Sequence, residues 1–234
     1  MGRGAPLERL KVTSVYPPGI FAEQFGSSIF AQSPCLFLDR DGVVVEETNY
    51  LHSVTDVVFI PGVVEAVARA NASSVPVVLV TNQAGIGRGL YGWDAFHAVQ
   101  RHIYQHYREF DAHFDLVLAC AYHAEGIGCY AIANHPWRKP RPGMLKEAER
   151  LLDVDLTRSF IVGDTLADLF AGEAAGLRAG ALVETGHGLR EWCESGEEAF
   201  ANWAGAGRFS PSRYGSGGDA ILSWLDGLHP SRQT

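Results

Sequence analysis

The chain is poor in the features that would mark it for several common roles. Its 234 residues hold four cysteines at irregular spacing. That is too sparse for a disulfide framework in a chain of this length, and a reduced, cytoplasmic setting is the expectation. Basic residues are in the minority, 19 Lys and Arg against 27 Asp and Glu, for a net charge of −8. The densest basic cluster is Arg138, Lys139 and Arg141, far short of the stripe that nucleic acid requires. No apolar run approaches the roughly 20 residues of a membrane span. Pro6, Glu8, Arg9 and Lys11 break up the N-terminus before the apolar core of a signal peptide can form. Gly2 opens like a myristoylation site, but Pro6 stands where Ser or Thr is needed. There is no internal repeat. With nucleic acid and membrane set aside, a small molecule is the partner to look for.

What is present is concentrated in residues 35–44, Cys-Leu-Phe-Leu-Asp-Arg-Asp-Gly-Val-Val. Cys35 to Leu38 reads as a short buried strand. Side chains two apart on a strand share a face, so Asp39 and Asp41 project together from its C-terminal end. Gly42 then permits a sharp turn. Two carboxylates this close repel unless a cation or a shared proton relieves them, and Mg²⁺ is the natural relief. A solvated Asp-Arg-Asp turn is the plain alternative for this stretch taken alone.

Further strands are expected at Val75–Val80, Leu116–Ala121, Ser159–Val162 and Ala179–Val183, with helices over 63–72, 93–107, 142–152, 166–175 and 220–228. Pro142 and Gly143 open the third of these helices and Gly176 closes the fourth. Alternating strands and helices predict an α/β fold: a doubly wound, Rossmann-like parallel sheet with helices on both faces. Residues 34–185 form that domain. Residues 1–33 read as an extension lying on its surface, with at most one helical turn, and 186–234 as a weakly periodic C-terminal extension whose Trp192, Trp203 and Trp224 are packing anchors. Ligands of such sheets sit beyond the carboxyl ends of the strands. Every polar motif falls there: Asp39 and Asp41 after the first strand, Thr81 and Asn82 after the second, Lys139 beyond the third, Asp164 and Asp168 after the fourth.

A carboxylate so placed can attack phosphorus and form an aspartyl-phosphate. Mg²⁺ on Asp39 and Asp164, with the Asp41 backbone carbonyl as a further ligand, would neutralise the approaching charge. Lys139 adds a fixed positive charge. The Thr81 hydroxyl and the Asn82 N–H can hold the spectator oxygens. Asp41 can protonate the leaving oxygen and later deprotonate the attacking water.

The set Asp-x-Asp, Thr, Lys, Gly-Asp-x-x-x-Asp resembles the haloacid dehalogenase-like hydrolase superfamily over about residues 34–183. The resemblance implies Asp39 as nucleophile, Asp41 as acid/base, Thr81 and Lys139 on phosphate, Asp164 on Mg²⁺ and Asp168 behind it. Phe37–Val43, Thr81–Gly89 and Arg138–Met144 are similar to the D-glycero-D-manno-heptose 1,7-bisphosphate phosphatases and the related histidinol-phosphate phosphatases. That likeness implies little or no cap domain, a small phosphorylated metabolite as substrate, and contacts to it from Arg88 and Arg138. A catalytically idle binding protein on the same fold is the alternative outside enzymology. A phospho-accepting receiver domain is disfavoured, because its acceptor aspartate would end the third strand and no carboxylate stands there.

The pattern breaks in one place. The resembled phosphatases hold a structural zinc through Cys-x-His and Cys-x-Cys, whereas this chain reads Cys120-Ala121-Tyr122 and His135-Pro136-Trp137. A different quartet, Cys120, His123, Cys129 and His135, has acceptable ligand types, but a metal-free loop pinned by Tyr122 and Trp137 is the expectation. Gly87-x-Gly89-x-x-Gly92 matches a dinucleotide fingerprint without the strand-end position that it needs. His97, His102 and His106 mark a solvated helix face, and Glu46-Glu47 a solvated pair at the site mouth.

Overall fold

The computed structural model describes residues 17–25 and 29–228. Tyr16 and the Gly26-Ser27-Ser28 stretch, read as part of the N-terminal extension, lie outside them.

The strands are β1 (Ile20–Gln24), β2 (Leu36–Leu38), β3 (Val77–Asn82), β4 (Leu116–Cys120), β5 (Phe160–Gly163), β6 (Ala179–Val183) and β7 (Ser210–Tyr214). They form one sheet in the order β1-β4-β3-β2-β5-β6-β7. All neighbours are parallel except β1 against β4. The helices are α1 (Val63–Ala72), α2 (Ala84–Gly87), α3 (Trp93–Glu109), α4 (Gly143–Leu152), α5 (Leu166–Ala175), α6 (Gly188–Glu191), α7 (Glu197–Ala206) and α8 (Gly217–Leu228).

Strand alternation divides the core into two layers. Leu36, Leu38, Val77, Leu79, Val117 and Val162 face α1, α3 and α8. Phe37, Val78, Val80, Leu118, Ile161 and Leu182 face α4, α5 and α7. The central strands are therefore apolar on both faces, which is why they read as continuous hydrophobic runs. The chain winds from β2 outward to β4, then returns to the other side of β2 with β5. That reversal opens the crevice in which ligands of such sheets bind.

Both extensions join the sheet. Residues 20–24 do not lie on the surface as a helical turn; they pair antiparallel with β4, from Ile20 opposite Cys120 to Gln24 opposite Leu116. Phe21 packs against Phe96 and Trp93, and Phe25 stacks on Tyr104 at 4.3 Å. At the far edge β7 pairs parallel with β6. Trp203 is 3% exposed, Trp224 stacks on Phe160 at 5.4 Å, and Arg213 lies over the Trp192 ring. The histidine face of α3 is half-buried rather than fully solvated: His106 stacks on Phe59 at 3.7 Å and His97 meets Phe21 edge-on.

Candidate active site

The end of β2 builds the centre. Asp39 continues the ladder, its N–H donating to Val162 O at 3.0 Å. The chain then folds back sharply, with Val44 N donating to Arg40 O and Gly42 N to Val45 O. Gly42 has φ 82°, and a Cβ there would lie 2.3 Å from Asp164 Oδ2, so glycine is demanded both by the turn and by the neighbouring carboxylate.

Asp39 Oδ1 accepts from Arg40 N at 2.7 Å and pairs with Lys139 Nζ at 2.9 Å. Both bonds fall on one oxygen and leave Oδ2 for other work. Lys139 is 3% exposed. Its three ammonium hydrogens go to Asp39, Asp168 and Val80 O, which is its full donor capacity. Burial acts to lower the Lys139 pKa, but Asp168 and Asp39 outweigh it and hold the ammonium above its ordinary value. Asp168 is fully buried. Its second oxygen accepts from the Thr165 hydroxyl at 2.6 Å and the Thr165 N–H at 3.2 Å, closing the first turn of α5. Asn82 and Lys139 exchange side-chain-to-backbone bonds at 3.1 Å in each direction, tying the end of β3 to the Arg-Lys-Pro loop.

Asp39, Asp164 and Asp168 each offer a carboxylate oxygen within 4.8 Å of the others, the one such group among the described residues. Burial, then repulsion from Asp39 and Asp168, drives the Asp164 carboxyl well above its ordinary 3.8, against the opposing His187 N–H and Lys139. Asp39 is raised likewise, first by burial, with Lys139 opposing and Asp168 and Asp41 adding to it. The Lys139 ammonium is bonded to two of these three buried carboxylates, Asp39 and Asp168. This donor set fits a hard divalent cation; Asp39 and Asp164 have the oxygens to hold it, while Asp168 is taken up by Lys139 and Thr165.

Asp41 stands outside that group of carboxylates and has its own partners. Arg40, 0% exposed, grips both of its carboxylate oxygens at 2.9–3.2 Å. The guanidinium also lies over the Phe96 ring at 5.3 Å. Gln83 Nε2 donates to Asp41 Oδ2 at 3.0 Å and to Thr81 Oγ1 at 2.8 Å, and the Tyr91 hydroxyl donates to Gln83 Oε1 at 2.6 Å. Burial pushes the Tyr91 phenol up to about 12, so it stays a donor. Beside this array is a polar cavity of about 180 Å³ lined in part by Asp41, Glu47, Tyr50, Gln83, Tyr91 and His187. It is smaller than pockets for drug-sized ligands and suits a small polar molecule. Glu47 is half-buried in its wall rather than solvated, and burial and Asp41 raise its pKa. Arg88 stands at the rim, bonded to the Tyr50 hydroxyl and paired with Glu125 at 3.2 Å. Arg138 turns its Nη1 to Tyr122 O at 3.2 Å.

The loop from 120 to 139 does not gather a zinc site from Cys120, His123, Cys129 and His135: among the described residues no four-ligand group forms there. Cys120 is buried in β4, and burial pushes its thiol up to about 11, which opposes the thiolate that zinc needs. Instead Tyr122 stacks on His135 with ring centroids 4.2 Å apart. Gly19 packs directly over the Tyr122 ring, where a Cβ would meet it at 2.6 Å, and Trp137 packs on the same core layer. Tyr122→Ala is expected to cost about 3–5 kcal/mol of stability in denaturant titration and to weaken substrate binding, with elemental analysis finding no zinc. About one zinc per chain would overturn this account of the loop.

Several residues of the site carry no sequence signal. Arg40 belongs to a type that is rarely buried. Thr185 is the last residue of the stretch read as the domain, and Gly186 and His187 open the one read as the C-terminal extension, yet Thr185 Oγ1 donates to Gly42 O at 2.6 Å and His187 N to Asp164 Oδ2 at 2.8 Å. Gly186, φ 58°, lies against the same oxygen. Gln83 sits inside a motif that was legible, but its hydrogen bonds were not.

A family model described as HAD-hydrolase-like matches residues 136–203. The chain is 49% identical over 168 residues to a D-glycero-beta-D-manno-heptose-1,7-bisphosphate 7-phosphatase of Mesorhizobium japonicum, covering 71% of this chain and 77% of that protein. A protein of the same name from Vibrio cholerae is 39% identical over 163 residues, or 69% and 87% of the two chains. Among solved structures, a HAD-like phosphatase of Mesorhizobium loti superposes with a TM-score of 0.76 at 39% identity, covering 92% of this chain and 96% of that one. The D,D-heptose 1,7-bisphosphate phosphatase of B. bronchiseptica, solved with magnesium and phosphate, gives 0.69 at 29% identity, covering 83% and 99%.

Proposed function

Because the chain belongs to the heptose-bisphosphate phosphatases of the haloacid dehalogenase-like hydrolase superfamily, we propose that it is a Mg²⁺-dependent phosphatase removing one phosphate from a heptose bisphosphate through an aspartyl-phosphate. The observation that supports this most is the centre itself: Asp39 with one oxygen held by Lys139 and the other free, beside Asp164, at the carboxyl ends of adjacent strands. Asp39 Oδ2 attacks phosphorus as the bond to the sugar oxygen breaks. Asp41 delivers a proton to that oxygen, then takes one from the water that attacks the phosphoenzyme, returning free phosphate and the Asp39 carboxylate. Lys139 fixes the attacking carboxylate, while Thr81 and the Asn82 N–H receive the spectator oxygens. Arg88 and Arg138 meet the substrate beyond the reacting phosphate. When bound by Asp39, Asp164 and the Asp41 carbonyl, Mg²⁺ supplies the charge neutralisation that lets an anion approach an anion.

Purified protein with Mg²⁺, screened against a panel of phosphorylated metabolites, should release phosphate fastest from a heptose 1,7-bisphosphate. A preference for histidinol phosphate, or no turnover on any of the panel, would refute the assignment. Excess chelator should abolish turnover and Mg²⁺ should restore it. The same metal carries a pH signature in stability. A carboxyl whose folded pKa is raised above its unfolded 3.8, as Asp164 is, binds protons more tightly in the folded state. The contribution of Asp164 to the stability of the metal-free protein therefore falls as the pH rises from the ordinary carboxylate range through neutrality. Mg²⁺ binds the ionised form, so its increment in melting temperature should be larger at mildly alkaline than at mildly acidic pH. An equal increment at both would contradict the assignment of Asp164 to the metal.

A further inference from the structure

Gln83 is 2% exposed, and the partners of its side chain are Asp41, Thr81 and Tyr91 rather than Asp39, Asp164 or Asp168. Its amide nevertheless contacts both groups that must handle substrate oxygen. One hydrogen of Nε2 goes to Thr81 Oγ1 and the other to Asp41 Oδ2. The amide cannot be turned over without setting its carbonyl oxygen against the Asp41 carboxylate, so chemistry fixes its orientation. The Tyr91 hydroxyl locks the same orientation from behind by donating to Oε1. Two consequences follow. Thr81 accepts at its oxygen, which frees its own hydrogen for an incoming anionic oxygen. Asp41, gripped by Arg40 on one side, is held by Gln83 on the other, so its direction relative to the leaving oxygen does not drift.

We propose that Gln83 is a positioning residue of the phosphatase, setting the donor direction of Thr81 and the aim of Asp41 through one buried amide locked by Tyr91. The assignment rests on the phosphatase reading above. It predicts a leaving-group signature. An alkyl phosphate such as a sugar phosphate needs its leaving oxygen protonated, whereas an activated aryl phosphate does not. Gln83→Met keeps the length and removes both donors. Its kcat should fall about 100-fold or more on the alkyl substrate and about tenfold or less on the aryl one. Gln83→Glu should be worse on both, because its carboxylate accepts the Thr81 hydrogen and repels Asp41. Tyr91→Phe removes only the lock. It should reproduce the alkyl-selective loss at smaller size, and it serves if a Gln83 variant fails to fold. Equal losses on the two substrates, or alkyl turnover by Gln83→Met within about threefold of wild type, would overturn the Gln83 assignment while the wild type remained an active phosphatase. Wild-type protein inactive on both substrates would instead overturn the phosphatase reading, and this inference with it.

Discussion

Asp39→Asn is expected to lower turnover on the order of 10⁴-fold or more while leaving the protein folded. The geometry makes this substitution unusually clean. Oδ1 of Asp39 accepts from Lys139 Nζ and from Arg40 N. An asparagine oxygen satisfies both donors, which directs its Nδ2 into the attacking position. An amide nitrogen carrying two hydrogens has no lone pair to offer phosphorus. The change also removes a buried charge that burial disfavours, so thermal stability should hold or rise. Steady-state kinetics together with thermal melts decide it. Near-wild-type turnover from Asp39→Asn would mean that another group attacks phosphorus.

Lys139→Met carries the second large effect, and it appears in stability as well as rate. Among the described residues, Lys139 is the one cation bonded to Asp39 and Asp168, and all three side chains are buried. Removing it leaves two buried carboxylates without a counter-charge, which costs about 3–5 kcal/mol. The loss should show as a lower denaturant midpoint with an unchanged slope. Adding Asp168→Asn to Lys139→Met should recover part of it, because one of the stranded charges is then gone. Turnover should not recover with it, since Asp39 has still lost the partner that holds its Oδ1. A single variant of wild-type stability would show that the carboxylates take up protons in place of the ammonium.

The parts of this molecule that could be read from the sequence are those whose cause is local. Leu36 to Leu38, Val77 to Val80 and Phe160 to Val162 are buried on both faces of a parallel sheet, and such strands must be continuously apolar. Asp39, Thr81 and Asp164 announce themselves by following these runs. The edge strands escape that logic. β1 is a five-residue piece after Pro17-Pro18-Gly19 whose anchoring comes from Phe21 and Phe25 reaching α3. β7 carries Pro211 and Arg213, tolerable only because an edge strand needs half its ladder. The buried Arg40 and the contacts of Thr185, Gly186 and His187 depend on partners far away in sequence, which no local pattern encodes.

The stitch between Thr185 and Gly42 spans 143 residues. A polypeptide emerges from the ribosome in order, and long-range closures come late because their chain entropy must be spent first. The turn that carries Asp39 and Asp41 is synthesised early, and the strands flanking it can pair once β5 has emerged. Thr185 and His187, which tie down Gly42 and Asp164, arrive only after most of the sheet is made. Growing chains therefore pass through a stage in which Asp39 and Asp164 exist without the clasp that Thr185 and His187 supply to Gly42 and Asp164.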